Sequence, residues 1–247
     1  MLLVNYKEKF RYFGVKNGIW RRGYSFFDIH QKQIFPNISL QGKKLLEIGC
    51  GDGMSLLWAA MNGANLALGL EPYSDGSTKN SKKEKFFGSA IKKFNLNQAR
   101  IVRKTIQEYD GDGGLFDVVL MQASINHLDE CSCLDLHYNR DSAGLYIELL
   151  CKIRKYMKHN GTIVIMDCSS DNFFPKLGLR HPFLPQIEWE KHQPPEKWAE
   201  LMGDAGFAEP VISWLANYRM SYIGVYRIPY ALSFFTRSEF RLQMQAA

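Results

Sequence analysis

Apolar runs of strand length alternate with helical patterns from residue 43 to about residue 215. "KKLLEIG" (43–49), "ANLALGLE" (64–71), "ARIVRK" (99–104), "FDVVLM" (116–121) and "GTIVIMDC" (161–168) predict five strands. They lack strict alternation of apolar and polar residues, as expected for strands covered on both faces of a parallel sheet. Helical patterns lie between them. "MSLLWAAMNG" (54–63) stops at Asn62-Gly63. "SAGLYIELLCKIRKYMKHNG" (142–161) sets Leu145, Leu149, Ile153 and Tyr156 on one stripe, gathers basic residues late and stops at Gly161. "PPEKWAELMGDAGF" (194–207) opens on proline and aligns Trp198, Leu201, Met202 and Ala205 before Gly206. The runs 209–216 and 221–228, separated by a short polar turn, predict a terminal antiparallel hairpin. The whole reads as an open α/β sheet with a hairpin at its end.

Three segments fall outside this alternation. Residues 1–40 are aromatic and basic and predict a lid or cap. Residues 129–144 and 169–195 are insertions after the fourth and fifth strands, on the edge where open α/β sheets bind ligands. The expected domain therefore spans 41–228, with 229–247 as a C-terminal extension.

Composition narrows the class. Of 247 residues 46% are hydrophobic, enough for a sizeable core, and no stretch reaches the roughly 18 apolar residues of a membrane helix. The N-terminus lacks the order of a signal peptide, so a cytoplasmic location is the expectation. The net charge of +6 is partly local to "KNSKKEKFFGSAIKKF" (79–94), which reads as a solvated helix face rather than a nucleic-acid footprint. Five scattered cysteines do not form a disulfide framework. His127, Cys131, Cys133 and His137 have ligand types that suit zinc. Their C-x-C spacing is too tight and no second pair exists, so no metal is assigned.

The chemistry centres on "LLEIGCGDG" (45–53). Gly49, Gly51 and Gly53 follow a strand and open a helix, so the backbone can bend sharply and a ligand can come close. The spacing is G-x-G-x-G, not the dinucleotide G-x-G-x-x-G, and the phosphate-binding Walker pattern is absent. Glu47 places a negative charge at the approach, unfavourable beside a phosphate and favourable beside a cation. Glu71 ends the next strand, where a carboxylate can accept hydrogen bonds from ribose hydroxyls. The pattern asks for a cationic nucleoside without phosphate, and S-adenosylmethionine has that chemistry.

"LLEIGCGDG" followed by "LGLEP" resembles the first two motifs of class I S-adenosylmethionine-dependent methyltransferases. "FDVVLMQASINHL" resembles their fourth motif and "MKHNGTIVIMD" their entry to the fifth strand, so the likeness covers roughly residues 40–228. It implies a Rossmann-like seven-stranded sheet whose last strand is antiparallel. It further implies that Glu47, Gly49, Gly51 and Gly53 shape the methionine end of the cofactor pocket, that Glu71 holds the ribose, and that Pro72 lies against the adenine. Thr105 and Ile106 match the pair that meets the adenine, although many relatives carry Asp where Thr105 stands. Gln122 would border the methionine portion.

For the acceptor, His127 in "INHLDE" is the candidate general base, with His192 in "EWEKHQPP" as the second. Trp189 is a candidate for the pocket wall, and Arg21, Arg22 and Tyr24 for reaching substrate. The catechol-type relatives hold magnesium with acids that Gln122 and the displaced Asp171-Asn172 do not reproduce. The expected activity is methyl transfer to an O or N atom of a small molecule, of natural-product or sugar-like type. An RNA methyltransferase and a non-catalytic cofactor-binding subunit are the rivals. The asparagine-proline-proline-aromatic signature of base-amino methylases is missing after the fourth strand, so nucleic acid is disfavoured as a partner.

Overall fold

The computed structural model describes residues 2–19, 24–72, 81–182 and 184–247. Its strands hydrogen-bond in the order β3-β2-β1-β4-β5-β7-β6. The chain divides into two compact units, 1–108 and 109–247.

The first unit runs α1 (Leu2–Lys16), α2 (Tyr24–Ile34), β1 (Lys44–Ile48), α3 (Met54–Met61), β2 (Leu66–Leu70), α4 (Ser81–Phe94) and β3 (Ala99–Val102). Its three strands are parallel, with Glu47 opposite Gly69 and Gly69 opposite Ile101. Gly69 is required by packing. A Cβ there would lie 2.3 Å from Cys50 Sγ and 2.7 Å from Leu56 Cδ1. Gly69→Ala is therefore expected to overpack this core and cost about 1–3 kcal/mol, read as a lower urea midpoint. The N-terminal helices are anchored by aromatic contacts. Phe10 and Phe13 meet Phe86 and Phe94 of α4, and Phe35 stacks on Trp58 of α3.

The second unit runs β4 (Phe116–Gln122), α5 (Glu130–Asp135), α6 (Arg140–Lys155), β5 (Met157–Cys168), α7 (Phe173–Lys176), α8 (Pro195–Asp204), β6 (Phe207–Trp214), α9 (Tyr218–Tyr222), α10 (Tyr230–Phe234) and β7 (Glu239–Ala246). β4 and β5 are parallel, and β7 is antiparallel to both β5 and β6. The expected antiparallel last strand is present.

Its position in the chain differs from the expectation. Residues 221–228 do not form a strand. Asn217 accepts from the N–H groups of Arg219 and Met220 and starts α9, and Gly224 turns the chain at φ +85°. Leu215 and Arg227 form an isolated bridge there, with Ala216 N–H donating to Tyr226 O and Ile228 N–H to Trp214 O. The partner of β6 is β7, whose Phe240, Leu242, Met244 and Ala246 all face inward. The segment 229–247, expected to be an extension, thus supplies α10 and an internal strand of the sheet.

A second difference concerns the helix expected to run to Gly161. α6 ends at Lys155 and β5 begins at Met157, so Gly161 sits inside the strand, where a Cβ would lie 2.8 Å from Lys158 O. Its buried stripe is Tyr146, Leu149, Leu150 and Ile153, whereas Leu145 is exposed.

Candidate functional site

In the first unit the chain leaves β1 at Ile48 and turns through residues 49–53 into α3. The turn is tied to the end of β2. Gly49 and Cys50 donate to Leu70 O at 2.9 and 3.1 Å, and Gly51 N–H donates to Glu71 Oε2 at 2.7 Å. An N–H donating to a carboxylate is a charge-assisted bond, stronger than the neutral kind. The glycines serve different ends. At Gly53 a Cβ would lie 2.6 Å from the Phe87 ring, so packing excludes it. At Gly51, φ is +51° and a Cβ would meet nothing within 4 Å. This backbone is open to an approaching ligand.

Glu47 is the electrostatic feature of the site. Its side chain is buried on β1 and its Oε2 has no hydrogen-bond partner. Burial holds its carboxyl well above the usual carboxylate range, and Asp52 and Glu71 push it the same way. Ser55 opposes them by hydrogen-bonding the carboxyl, and Gln31 of α2 donates to Ser55 Oγ at 3.3 Å. The N-terminal helices therefore reach the acid indirectly. The same three acids, with burial as the larger cause, push the Cys50 thiol up. Three acidic groups crowd one glycine turn, which disfavours a phosphate, while a cation placed beside them would favour the charged form of Glu47. The orphaned buried oxygen, the open Gly51 backbone and the Glu71 carboxylate all suit S-adenosylmethionine.

The adenine pair is less straightforward. Thr105 N–H and hydroxyl both donate to Glu108 Oε2, at 2.9 and 3.1 Å, and Glu108 N–H donates back to Thr105 Oγ1 at 3.2 Å. This is a capping box, and it occupies the polar groups of Thr105. Thr105 N–H pulls the Glu108 carboxyl below its ordinary range, with the Thr105 hydroxyl adding to it. Ile106 is buried and Pro72 exposed, so what the pair offers an adenine is apolar surface.

In the second unit Gln122 closes β4, and the chain reverses at Ala123, whose φ is +47°. A non-glycine residue in this conformation costs roughly 1–2 kcal/mol and often marks a functional loop. Ala123 N–H donates to Met166 O at 2.8 Å, which fixes the turn to β5. The short 3-10 helix Ile125–His127 follows. Within it Asn126 is buried with Oδ1 lacking a partner. Tyr146 OH, a single donor, lies 3.2, 3.3 and 3.1 Å from the carbonyls of Ile125, Asn126 and Asp129 and pins the loop.

His127 is 49% exposed and its Nδ1 lies 2.7 Å from Glu130 Oε1. Lys191, and after it His127, hold the Glu130 carboxyl below its ordinary range. An ionised carboxylate only accepts, so in the neutral ring Nδ1 carries the proton and Nε2 the lone pair. The second histidine is more enclosed. His192 is 13% exposed, with Nδ1 3.0 Å from Oδ1 of Asp167 at the end of β5. The contact is close but out of line. Asp167 Oδ1 accepts Cys168 N–H at 2.7 Å, while Asp167 Oδ2 and His192 Nδ1 are buried without hydrogen-bond partners. Gln193 Oε1 is a third buried orphan here, although its amide donates to Cys133 O at 2.8 Å. Trp189 packs its ring against His181 and His192.

Other motif residues have structural duties. Cys133 is buried and donates to Lys191 O, and Cys131 is exposed. Among the described residues no three His, Cys, Asp or Glu side chains are arranged to hold a metal. Asn172 anchors Thr236 O and Ser238 Oγ, and Asp171 binds Lys176 and the Tyr230 hydroxyl. Arg21 and Arg22 lie outside the described residues, as does the side chain of Tyr24. Sequence reading passed over Ala123, Asn126 and the Gln31–Ser55 link. Only Asp167, closing a strand in "IVIMDC", carried a visible signal.

The strand order and the antiparallel β7 define a Rossmann-like methyltransferase fold. A family model described as a methyltransferase domain matches residues 21–211. Three solved structures show how far the likeness extends. An S-adenosylmethionine-dependent methyltransferase of Thermotoga maritima, described as a possible histamine N-methyltransferase, has a TM-score of 0.55 at 14% identity, covering 96% of this chain and 97% of that one. The geranyl diphosphate C-methyltransferase of Streptomyces coelicolor A3(2), solved with Mg2+, geranyl diphosphate and S-adenosyl-L-homocysteine, has a TM-score of 0.60 at 14% identity, covering 90% and 79%. A methyltransferase of the same dependence from Aquifex aeolicus has a TM-score of 0.56 at 11% identity, covering 90% and 98%. No curated protein matches the chain by sequence. The chain belongs to the methyltransferase-domain family and is an S-adenosylmethionine-dependent enzyme. Among the described residues no helix is long and apolar enough to cross a membrane.

Proposed function

We propose that this enzyme methylates an O or N atom of a small-molecule acceptor. The observation that carries the reading is the acidic glycine turn: Glu71 locked to Gly51 N–H, beside a buried Glu47 with one carboxylate oxygen unpartnered. In this reading Glu71 faces the ribose hydroxyls, Glu47 and the open Gly51 backbone serve the methionine end, and Gly49 and Gly53 shape the turn. Pro72 and Ile106 contribute apolar surface toward the adenine, with Thr105 beside them. Gln122 is assigned, by the family resemblance, to the methionine portion. When bound, S-adenosylmethionine supplies a methyl group on a sulfonium that departs as a neutral thioether.

What this chain adds is binding, exclusion of water and proton movement. An alcohol acceptor must lose a proton, and we assign that proton to His127 Nε2, whose ring is held by Glu130. A second reading gives it to His192, favoured by its burial beside Asp167. The buried orphans Asn126 Oδ1, Asp167 Oδ2 and Gln193 Oε1 support an acceptor that donates hydrogen bonds, since an unpaired buried acceptor otherwise costs about 1–3 kcal/mol. Neighbours named for N- and C-methylation share the fold, so the fold itself does not choose the acceptor atom.

The test is transfer of a labelled methyl group to metabolite fractions and to RNA in parallel. Label in a small molecule supports the reading; label in RNA alone overturns it.

Glu47 gives a separate prediction from its raised carboxyl. The folded protein holds this proton to higher pH than the unfolded chain does. Stability from this group is therefore full below the ordinary carboxylate range and declines as pH rises through the raised value. A cation beside Glu47 favours ionisation, so cofactor affinity should rise with pH over that window and binding should release a proton. Calorimetry in buffers of different ionisation enthalpy should detect the proton, and Glu47→Gln should abolish it.

A further inference from the structure

Two stretches of the second unit, residues 172–187 and 210–238, contain no Asp or Glu, although the chain has 25 acids in 247 residues. The same stretches hold Lys176, Arg180, Arg219, Arg227 and Arg237. Both stretches leave the sheet at the C-terminal ends of the parallel strands β5 and β6, and residues 172–181 contact residues 234–236 there. The Phe173 ring lies 5.0 Å from Phe235 and 6.3 Å from Phe234, and Asn172 Nδ2 donates to Thr236 O at 2.8 Å. Lys176 Nζ sits 5.4 Å over the Phe234 ring. Tyr230 packs on Trp214 at 5.0 Å, and Arg227 bridges to Leu215.

Much of this surface is apolar and exposed. Ile223 is 78% exposed, Leu177 58% and Phe235 55%, with Leu179, Tyr222 and Leu232 also exposed. Large apolar side chains gathered in this way mark an interaction site. Their chemistry selects the partner. Aliphatic and aromatic tips set among exposed cations match a lipid interface, where the apolar groups enter the headgroup boundary and the cations meet anionic lipid. A second copy is a poor match, because the acids bordering the face, Asp171 and Glu239, are already paired with Lys176 and Arg237 and so are not offered to the arginines of another copy. Nucleic acid is a poorer match, because the exposed aliphatic side chains Ile223, Leu177, Leu179 and Leu232 would gain no apolar partner against a sugar-phosphate backbone.

We propose that this face docks the enzyme peripherally on an anionic lipid surface, with Ile223, Leu177 and Phe235 entering the headgroup layer and Arg180, Arg219 and Arg227 facing lipid phosphates. The proposal is independent of the acceptor assigned above.

The test is co-sedimentation of the full chain with phosphatidylcholine vesicles, with and without a minority of phosphatidylserine. Partitioning at least about tenfold stronger onto the phosphatidylserine vesicles is expected, and it should fall as salt is added. Ile223→Asp with Phe235→Asp, and separately Arg219→Glu with Arg227→Glu, should each reduce partitioning to the phosphatidylcholine level. Both variants should keep wild-type melting curves and S-adenosylhomocysteine affinity, which separates lost docking from lost folding. Four results would overturn the proposal: no partitioning, equal partitioning of wild type and variants, a dimer in analytical ultracentrifugation that Ile223→Asp dissolves, or binding to labelled RNA that Arg219→Glu removes while vesicles are ignored.

Discussion

Glu71→Ala is expected to weaken S-adenosylmethionine binding by roughly ten- to a hundredfold, the equivalent of about 1.5–3 kcal/mol for a hydrogen bond to a charged group. The carboxylate has two duties. One oxygen holds Gly51 N–H at 2.7 Å and so fixes the middle of the glycine turn to the end of β2. The other is assigned to the ribose. Alanine removes both and leaves the Gly51 N–H without its partner, in a turn that already needs a positive φ. Glu71→Gln separates the two duties, because its amide oxygen can still accept from Gly51 while the charge is gone. Its loss of affinity should therefore be smaller than that of alanine. Isothermal titration with S-adenosylhomocysteine measures both variants. Wild-type affinity in Glu71→Ala would remove the ribose assignment and with it the cofactor site proposed here.

The sheet was legible where burial leaves a simple trace. β1, β2 and β4 are short apolar runs between punctuating residues, and their buried patterns match the runs read from sequence. The end of the sheet was not, for two physical reasons. "SYIGVYRI" has the composition of a strand, but Asn217 and Gly224 impose local turns that composition does not reveal. "EFRLQMQA" alternates cleanly, yet it carries Arg241, which is buried on the opposite face from Phe240 and Leu242. Burial brings the Arg241 guanidinium down to about 10, with Arg227 adding to the effect. A buried arginine is the exception to the rule by which strands are found. The same logic explains Gly161, which reads as a helix stop and serves as a strand residue without room for a side chain.

The site divides along a similar line. Glu47, the glycines and Glu71 were visible because they lie close in sequence at two strand ends, where a tight glycine turn is flanked by acids. Contacts distant in sequence were invisible. Ser55 and Gln31 modulate Glu47 from two separate helices, and Thr105 is committed to Glu108 by a capping box that the pair "TI" does not announce. Ala123 turns the chain after β4 in a conformation glycine would ordinarily supply, so no glycine signalled it. Asn126 and Gln193 matter only because burial leaves one oxygen of each unsatisfied.

The second large effect is expected at the base. His127→Ala should lower turnover by about 10²- to 10⁴-fold, the usual contribution of a positioned base, while leaving cofactor affinity unchanged. Glu130→Gln should give a smaller loss, since a neutral amide still accepts from Nδ1 but supports the developing imidazolium less. His192→Ala is the decisive companion. Its ring is more enclosed than that of His127, and the facing Asp167 oxygen is unpartnered, so closure over an acceptor could bring the pair into line. If His192→Ala loses turnover and His127→Ala keeps it, the base is His192 and the His127–Glu130–Lys191 chain is a surface tether. Normal turnover in both variants would mean that the acceptor attacks as an unprotonated amine, which needs no base. That outcome would decide between oxygen and nitrogen as the methylated atom.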